Sequence, residues 1–239
     1  IVACGSAYHA GLVGKYAIEK LARITVEVDV ASEFRYRDPL VNEKTLMIVI
    51  SQSGETADTL AALRLGKEKG ARVIAISNVV GSSISREADD VLYTWAGPEI
   101  AVASTKAYVT QLIALYVVAL YFAQEKGTLS SEEIETIKAE MLKLPEKAEK
   151  AIENKEVVQK FASKNYMHKD MFFLGRGVDY AVALEGSLKL KEISYIHADA
   201  YAGGELKHGP IALIEDGTVV IVLATQKKLF EKMVSNIKE

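Results

Sequence analysis

The sequence predicts an α/β protein built as two three-layer αβα units with mostly parallel, doubly wound sheets, the second unit incomplete. Three observations carry this expectation. Short β-branched and apolar runs at 46–50, Arg72–Ser77 and 91–94 alternate with helical patterns, as crossovers between parallel strands require. The first two runs are apolar almost throughout rather than alternating, the pattern of strands covered on both faces. The same order of elements then begins again near Met171.

Taken in order, residues 1–3 read as a strand, Cys4-Gly5-Ser6 as a turn and residues 8–23 as a helix. The β-branched stretch 24–30 predicts a strand, and 31–42 a loop or short helix ending at Asp38-Pro39. A strand, a polar loop and a helix follow over 45–70, with Gly70 placed to stop the helix. Arg72–Ser77 is a strand, 78–83 a loop, 84–88 a short helix, 91–94 a strand and 95–103 irregular. Residues 104–126 form a long helix whose apolar run, 112–123, is too short to span a bilayer and predicts a fully buried core helix.

From Gly127 the composition shifts to Glu and Lys, with Ser130 and Glu133 spaced as a capping box. This predicts a helical connector over 128–163, broken near Pro145, between a first domain at 1–127 and a truncated second at 164–239. Phe172-Phe173-Leu174 before Gly175-Arg176-Gly177 mirrors the opening of the chain, and 218–224 mirrors 45–50. An internal duplication accounts for both. Gly175-Arg176-Gly177 resembles a dinucleotide fingerprint, but Tyr180 replaces its third glycine, so a tight turn is the better reading.

The polar loop is Ser51-Gln52-Ser53-Gly54-Glu55-Thr56. A Ser/Thr/Gly loop between a strand and a helix N-terminus suits an anion, because unpaired N–H groups and the helix dipole point outward there. Ordinary capping would use one hydroxyl; three surround this glycine. No lysine follows Gly54, so a small phosphate ester fits better than a nucleoside triphosphate. The duplicated position, Thr225-Gln226-Lys227-Lys228, lacks the glycine. Only the first copy keeps the cradle.

Glu185, Lys189 and Glu192 fall on one helix face, with Leu184, Leu188 and Ile193 expected to pack the other. A salt-bridged surface is the plain reading of such charges. The competing one adds the polar segment from His197 to Pro210, including His208. Carboxylate, ammonium and imidazole are the groups that proton transfer beside a sugar carbonyl needs. His9 and His168 are taken as structural. Cys4 is read as buried or ligand-lining rather than as a nucleophile, since no His is placed as its base.

The composition is 49% hydrophobic and 26% charged, ordinary for a globular protein. A net charge of -3 argues against general nucleic-acid binding. A single Cys excludes an internal disulfide, and one Cys with four His makes structural zinc a poor fit. The chain starts on a strand pattern without Met and ends in a helix-like stretch, which predicts a piece of a longer protein. No secretory signal is evident.

Together Cys4-Gly5-Ser6, the 51–56 loop, Val102-Ala103-Ser104-Thr105-Lys106, the segment 188–197 and Gly204-Glu205-Leu206-Lys207-His208-Gly209-Pro210 resemble the glutamine–fructose-6-phosphate aminotransferase family. The resemblance covers nearly the whole chain, within an isomerase half made of two sugar isomerase (SIS) domains. It implies an enzyme converting fructose 6-phosphate and glutamine-derived ammonia to glucosamine 6-phosphate, without a cofactor or metal. It implies that Ser51, Gln52, Ser53 and Thr56 hold the phosphate. Cys4, Gly5, Ser6, Val102, Ala103, Ser104 and Glu185 would line the substrate. Glu192 would move the proton between C1 and C2, with Lys189 nearby, and His208 would assist ring opening from the partner subunit of a homodimer. It further implies a cytoplasmic protein joined to a glutaminase domain, with neither nucleic acid nor membrane as partner.

Neither that glutaminase domain nor the family's C-terminal tail lies in this sequence, so the expectation is sugar-phosphate binding with little glutamine-dependent synthesis. Robust glucosamine 6-phosphate production from glutamine by these 239 residues alone would refute it. Two other readings remain at this point: a related SIS isomerase or deglycase that never uses glutamine, and a non-catalytic phosphosugar sensor. The sensor would need the 51–56 loop but not Glu192, Lys189 and His208 together.

Overall fold

The computed structural model describes residues 1–239, in two compact units, Ile1–Phe122 and Ala123–Glu239. The first runs β1 (Val2–Ala3), α1 (Gly5–Ala22), β2 (Asp29–Val30), α2 (Ala31–Phe34), β3 (Leu46–Ser51) and α3 (Ala57–Glu68). It continues through β4 (Arg72–Ser77), α4 (Ser83–Glu87) and β5 (Asp90–Tyr93) into α5 (Lys106–Lys126). All five strands are parallel, in the order β2-β1-β3-β4-β5.

Alternation along the strands sends Met47, Val49, Val73 and Ala75 to one face, where they bury Phe34, Ala62, Leu63 and Ile84 of α2, α3 and α4. Ile48, Ile50 and Ile76 take the opposite face and are also buried. Both faces being covered explains why these strands read as continuous apolar runs. Helix α1 contacts β1 and β3, and α5 lies against α1: a Cβ on Gly14 would fall 2.8 Å from Leu115 Cδ2. From β1 the chain crosses to β2 on one side, and from β3 to β4 on the other. The carboxyl ends of β1 and β3 therefore flank the point where the winding reverses, which in open α/β sheets is where ligands bind.

In the second unit α6 (Ser131–Leu142), α7 (Leu144–Glu153) and α8 (Lys155–Asn165) precede β6 (Asp170–Gly175), α9 (Val178–Ser194), β7 (His197–Ala202), β8 (Val219–Val222) and α10 (Phe230–Lys238). Its three strands are parallel in the order β7-β6-β8. Helix α9 covers one face: Phe173 packs with Ala183, Ala198 and Leu190, and a Cβ on Gly186 would sit 2.9 Å from the Phe173 ring. Met233 of α10 and Leu206 cover Leu174 on the other. The order β7-β6-β8 repeats β2-β1-β3.

Ladder register locates the repeat to within a residue. Ala3 pairs with Val30 and Ile50; Leu174 pairs with Tyr201 and Val222. Aligned on the last rungs of β1 with β3 and of β6 with β8, Cys4 falls at Gly175 and Ser53 at Thr225. At that position the Thr225 N–H and hydroxyl donate to the buried Asp179 carboxylate, at 2.8 and 2.5 Å.

Several expectations are corrected. The predicted strand at 24–30 shrinks to Asp29–Val30, while the short helix allowed within 31–42 is present at Ala31–Phe34. Gly5 and Ser6 already belong to α1, with Cys4 as its extended N-cap. The polar stretch after Tyr195 contains a strand, β7. The break expected near Pro145 is present: α6 ends at Leu142 and Pro145 lies in the first turn of α7. Helix α5 has 21 residues, long and apolar enough to cross a membrane by length and composition alone. It is not fully buried: Leu115 and Ala119 are inside, while Val109, Val117 and Tyr121 are exposed. Ile193 does not pack α9 either, being 68% exposed. The helix instead buries its small residues, Ala181 and Ala183, with Ser187.

Gly175 marks the closest approach of β6 to α9, since a Cβ there would lie 2.4 Å from the Asp179 carbonyl oxygen. Backbone cannot step aside as a side chain can. Gly175→Ala should cost about 3 kcal/mol or more, read as a shift in the urea midpoint at unchanged slope.

Candidate active site

The 51–56 loop is held together from within and from behind. Ser51 is buried at the end of β3; its hydroxyl accepts from the Gly54 N–H at 3.0 Å and bonds the Thr56 hydroxyl at 2.9 Å. Ser53 Oγ accepts from the Glu55 N–H at 3.2 Å. Behind the loop, the Gln52 and Gly54 carbonyls accept from the N–H groups of Asn78 and Ile84. The Glu55 carboxylate takes the Ser83 N–H at 2.7 Å. That bond, reinforced by the Ser83 hydroxyl, holds the Glu55 carboxyl below its ordinary range.

These bonds draw the loop's carbonyls backwards, away from the start of α3. Thr56 sits at the N-cap of α3 but its side chain makes no capping bond, being committed to Ser51. Ordinary capping by Thr56 is thus not what the hydroxyl does. The first-turn N–H groups of this 12-residue helix stay open to an anion.

Around the loop lies a cavity of about 200 Å³, several times the ~30 Å³ share of one water. Cys4 and Ser6 reach it from the β1–α1 junction, and Ser51, Gln52, Ser53 and Thr56 from the β3–α3 junction. Ser104 comes from the segment before α5. The cavity occupies the reversal point of the sheet. Of the other residues named from the sequence, Gly5 and Val102 are exposed, and neither they nor Ala103 line it.

Ala7, Ile50, Thr59 and Gln111 line the cavity without having been singled out from the sequence. Gln111 carried a weak signal, as a polar residue within the apolar helix α5. Glu99 was also missed. Its carboxylate accepts from the Ala107 N–H at 3.1 Å, the Thr105 hydroxyl at 2.9 Å and the Thr105 N–H at 3.2 Å. It thereby caps α5 and pins the two ends of the segment that carries Ser104.

In the second unit Lys189 Nζ lies 2.5 Å from Glu192 Oε2 and 3.5 Å from Glu185 Oε1. One ammonium is shared by two carboxylates, with Glu185 buried and Glu192 at the surface. His208 sits on the 3-10 turn Leu206–His208, exposed and outside that cluster. A carboxylate held beside an ammonium can take up and return a proton.

The SIS domain family matches residues 1–121 and 166–238 of the chain. The chain belongs to the SIS domain family. Over its whole length it is 78% identical to a glutamine–fructose-6-phosphate aminotransferase [isomerizing] from Clostridium tetani, of which it spans 39%. It matches the solved C-terminal domain of a glucosamine-fructose-6-phosphate aminotransferase from Francisella tularensis with a TM-score of 0.97. Identity there is 43%, over 99% of this chain and 67% of that one. A glucosamine-6-phosphate deaminase from Thermotoga maritima aligns at a TM-score of 0.81 and 27% identity, over 99% of this chain and 71% of that one. This SIS chain thus spans about two fifths of the length of the curated relatives it matches.

Two outcomes follow from the site's geometry. A Cβ on Gly54, at φ +66°, would fall 2.0 Å from Ser82 Oγ and 2.9 Å from Ser77 Oγ. Gly54→Ala should therefore destabilise the SIS fold by about 2 kcal/mol or more and abolish phosphate binding in calorimetry.

For Glu99, the Ala107 N–H and then the Thr105 hydroxyl hold the carboxyl below the usual 4.5. A depressed carboxylate pKa contributes its cap fully above the unfolded value and loses it as pH falls through the folded one. Amide exchange at Thr105 and Ala107, after correction for intrinsic rate, should accelerate below pH ~4.5. In Glu99→Gln that acceleration should already be present at neutral pH.

Proposed function

We propose that this chain is the sugar-phosphate isomerase part of a glutamine–fructose-6-phosphate aminotransferase, converting fructose 6-phosphate and glutamine-derived ammonia to glucosamine 6-phosphate. The observation that carries the reading is a donor-rich cavity at the sheet's reversal point in a chain 78% identical, end to end, to a protein of that name.

In this reading the ester phosphate rests on the first turn of α3 and on the side chains of Ser51, Gln52, Ser53 and Thr56. Neutral donors and a helix dipole hold the dianion without a lysine. Cys4, Ser6 and Ser104 line the sugar, and Gly5, Val102 and Ala103 are their chain neighbours outside the cavity wall. Ammonia adds to the C2 carbonyl and water leaves, giving an imine. Glu192 then removes a proton from C1 as the imine nitrogen gains one, forming the enolamine; a proton returned to C2, with loss of the proton on the C1 hydroxyl, leaves an aldehyde at C1 and an amine on C2. Lys189 balances the charge of Glu192 and Glu185, as their separations of 2.5 and 3.5 Å favour. His208 opens the sugar ring, supplied by the partner subunit of a homodimer.

The remaining parts of the proposal concern the whole protein. Residues 1–127 form the sugar-phosphate domain, 128–163 a connector and 164–239 a second SIS domain carrying the acid–base groups. A glutaminase domain supplies the ammonia, and the protein works in amino sugar biosynthesis in the cytoplasm, where a single Cys stays reduced. A related reaction without glutamine is the second reading, on the likeness to the deaminase.

Two variants test the assignment. Thr56→Ala should weaken fructose 6-phosphate binding by about tenfold, the worth of a hydrogen bond to a charged group. Glu192→Gln in the full-length protein should keep binding within about twofold while turnover falls by about 10²-fold or more. Unchanged turnover would remove Glu192 as the base. Product formed from free ammonia but never from glutamine would favour the second reading.

A further inference from the structure

The cavity's chemistry is uneven. At the loop end it offers donors, the hydroxyls of Ser53 and Thr56 and the open amides of α3. Two other lining side chains differ. Gln111 of α5 is 4% exposed and Thr59 of α3 fully buried. Gln111 Oε1 and Thr59 Oγ1 have no hydrogen-bond partner in the chain, so they do not bond each other either. Both residues line the cavity.

Buried polar atoms are almost always paired, and leaving one unpaired costs stability. Gln111 is moreover a poor choice for an apolar helix unless its amide is used, because Met or Leu would fill the space more cheaply. Its carbonyl oxygen is an acceptor, and the terminal oxygens of an ester phosphate dianion have no proton to give it. An oxyanion without any hydroxyl, such as sulfate, would satisfy the loop and leave Gln111 orphaned. A ligand that also carries hydroxyls satisfies both, and the Thr59 hydroxyl can donate to or accept from it.

We infer that Gln111, with Thr59 of α3, is a specificity residue that reads a hydroxyl of the bound molecule and so selects a polyhydroxylated phosphate ester over an oxyanion without hydroxyls. The inference rests on the phosphosugar reading of this cavity and extends it to a residue outside the 51–56 loop. It assigns the loop to affinity for the anion and Gln111 to discrimination. A desolvated acceptor suits that task, since a ligand lacking the matching hydroxyl leaves it unpaired.

The test is calorimetric titration of the 239-residue chain with fructose 6-phosphate and, separately, with sulfate, a tetrahedral dianion without a proton, using wild type, Gln111→Met and Thr59→Val. Gln111→Met should weaken fructose 6-phosphate by about tenfold and leave sulfate within about twofold. Its melting temperature without ligand should hold or rise, because an orphaned polar atom has been replaced by a thioether. Thr59→Val should show the same preference in smaller degree. Equal loss for both ligands, loss for neither, or a lowered melting temperature with unchanged sugar binding would each overturn the inference and mark Gln111 as structural. Failure of the functional reading looks different: wild type would then bind neither ligand, which overturns both.

Discussion

The hydroxyl of Ser51 closes the loop on which the first unit's site depends. It sits at the last residue of a buried strand, takes the Gly54 N–H and bonds Thr56, the residue before a helix. Three consequences follow from that one group. Gly54 is drawn into a positive φ, where only glycine is at ease. Thr56 is pulled away from capping α3, so the helix start remains available to a ligand. The loop's carbonyls turn to Asn78 and Ile84, outside the cavity. Each is a response to the same demand, that buried backbone groups find partners.

The sheet puts that loop to use. With β1 and β3 adjacent and their crossovers running opposite ways, a crevice opens between their carboxyl ends. The second unit repeats the arrangement as β7-β6-β8 but closes its equivalent position with its own chemistry. Thr225, the counterpart of Ser53, donates to Asp179. An internal carboxylate stands where the first unit presents donors outward. Duplicated architecture therefore does not duplicate the site, and the second unit's distinctive feature is the lysine shared by two glutamates on α9.

Much of this was legible residue by residue. Buried parallel strands announce themselves as apolar runs, and Leu46–Ser51 and Arg72–Ser77 were read within a residue of their observed ends. The loop was found because Ser, Thr and Gly cluster between two strong signals. Strand β7 was missed although its signal was present. His197, Asp199 and Tyr201 alternate with Ala198, Ala200 and Ala202, but alanine is a weak strand former, so the alternation carries little hydrophobic contrast. Strand β2 was overextended because β-branched residues at 24–28 favour extended backbone whether or not a neighbour pairs with them.

By itself the sequence determined the αβα class, the duplication, the polar 51–56 loop between strand and helix and the Glu185–Lys189–Glu192 helix face, because each is written in local spacing that backbone geometry converts directly into structure. Only the tertiary structure decided which side chains meet in the cavity. Ser6, Ser51, Thr59, Ser104 and Gln111 come from separate elements, and no periodicity in one segment records what another will bring to it. The role of Thr56 was settled there as well. Whether a hydroxyl caps its own helix or bonds Ser51 depends on where the end of β3 lies, and that position is set by the sheet.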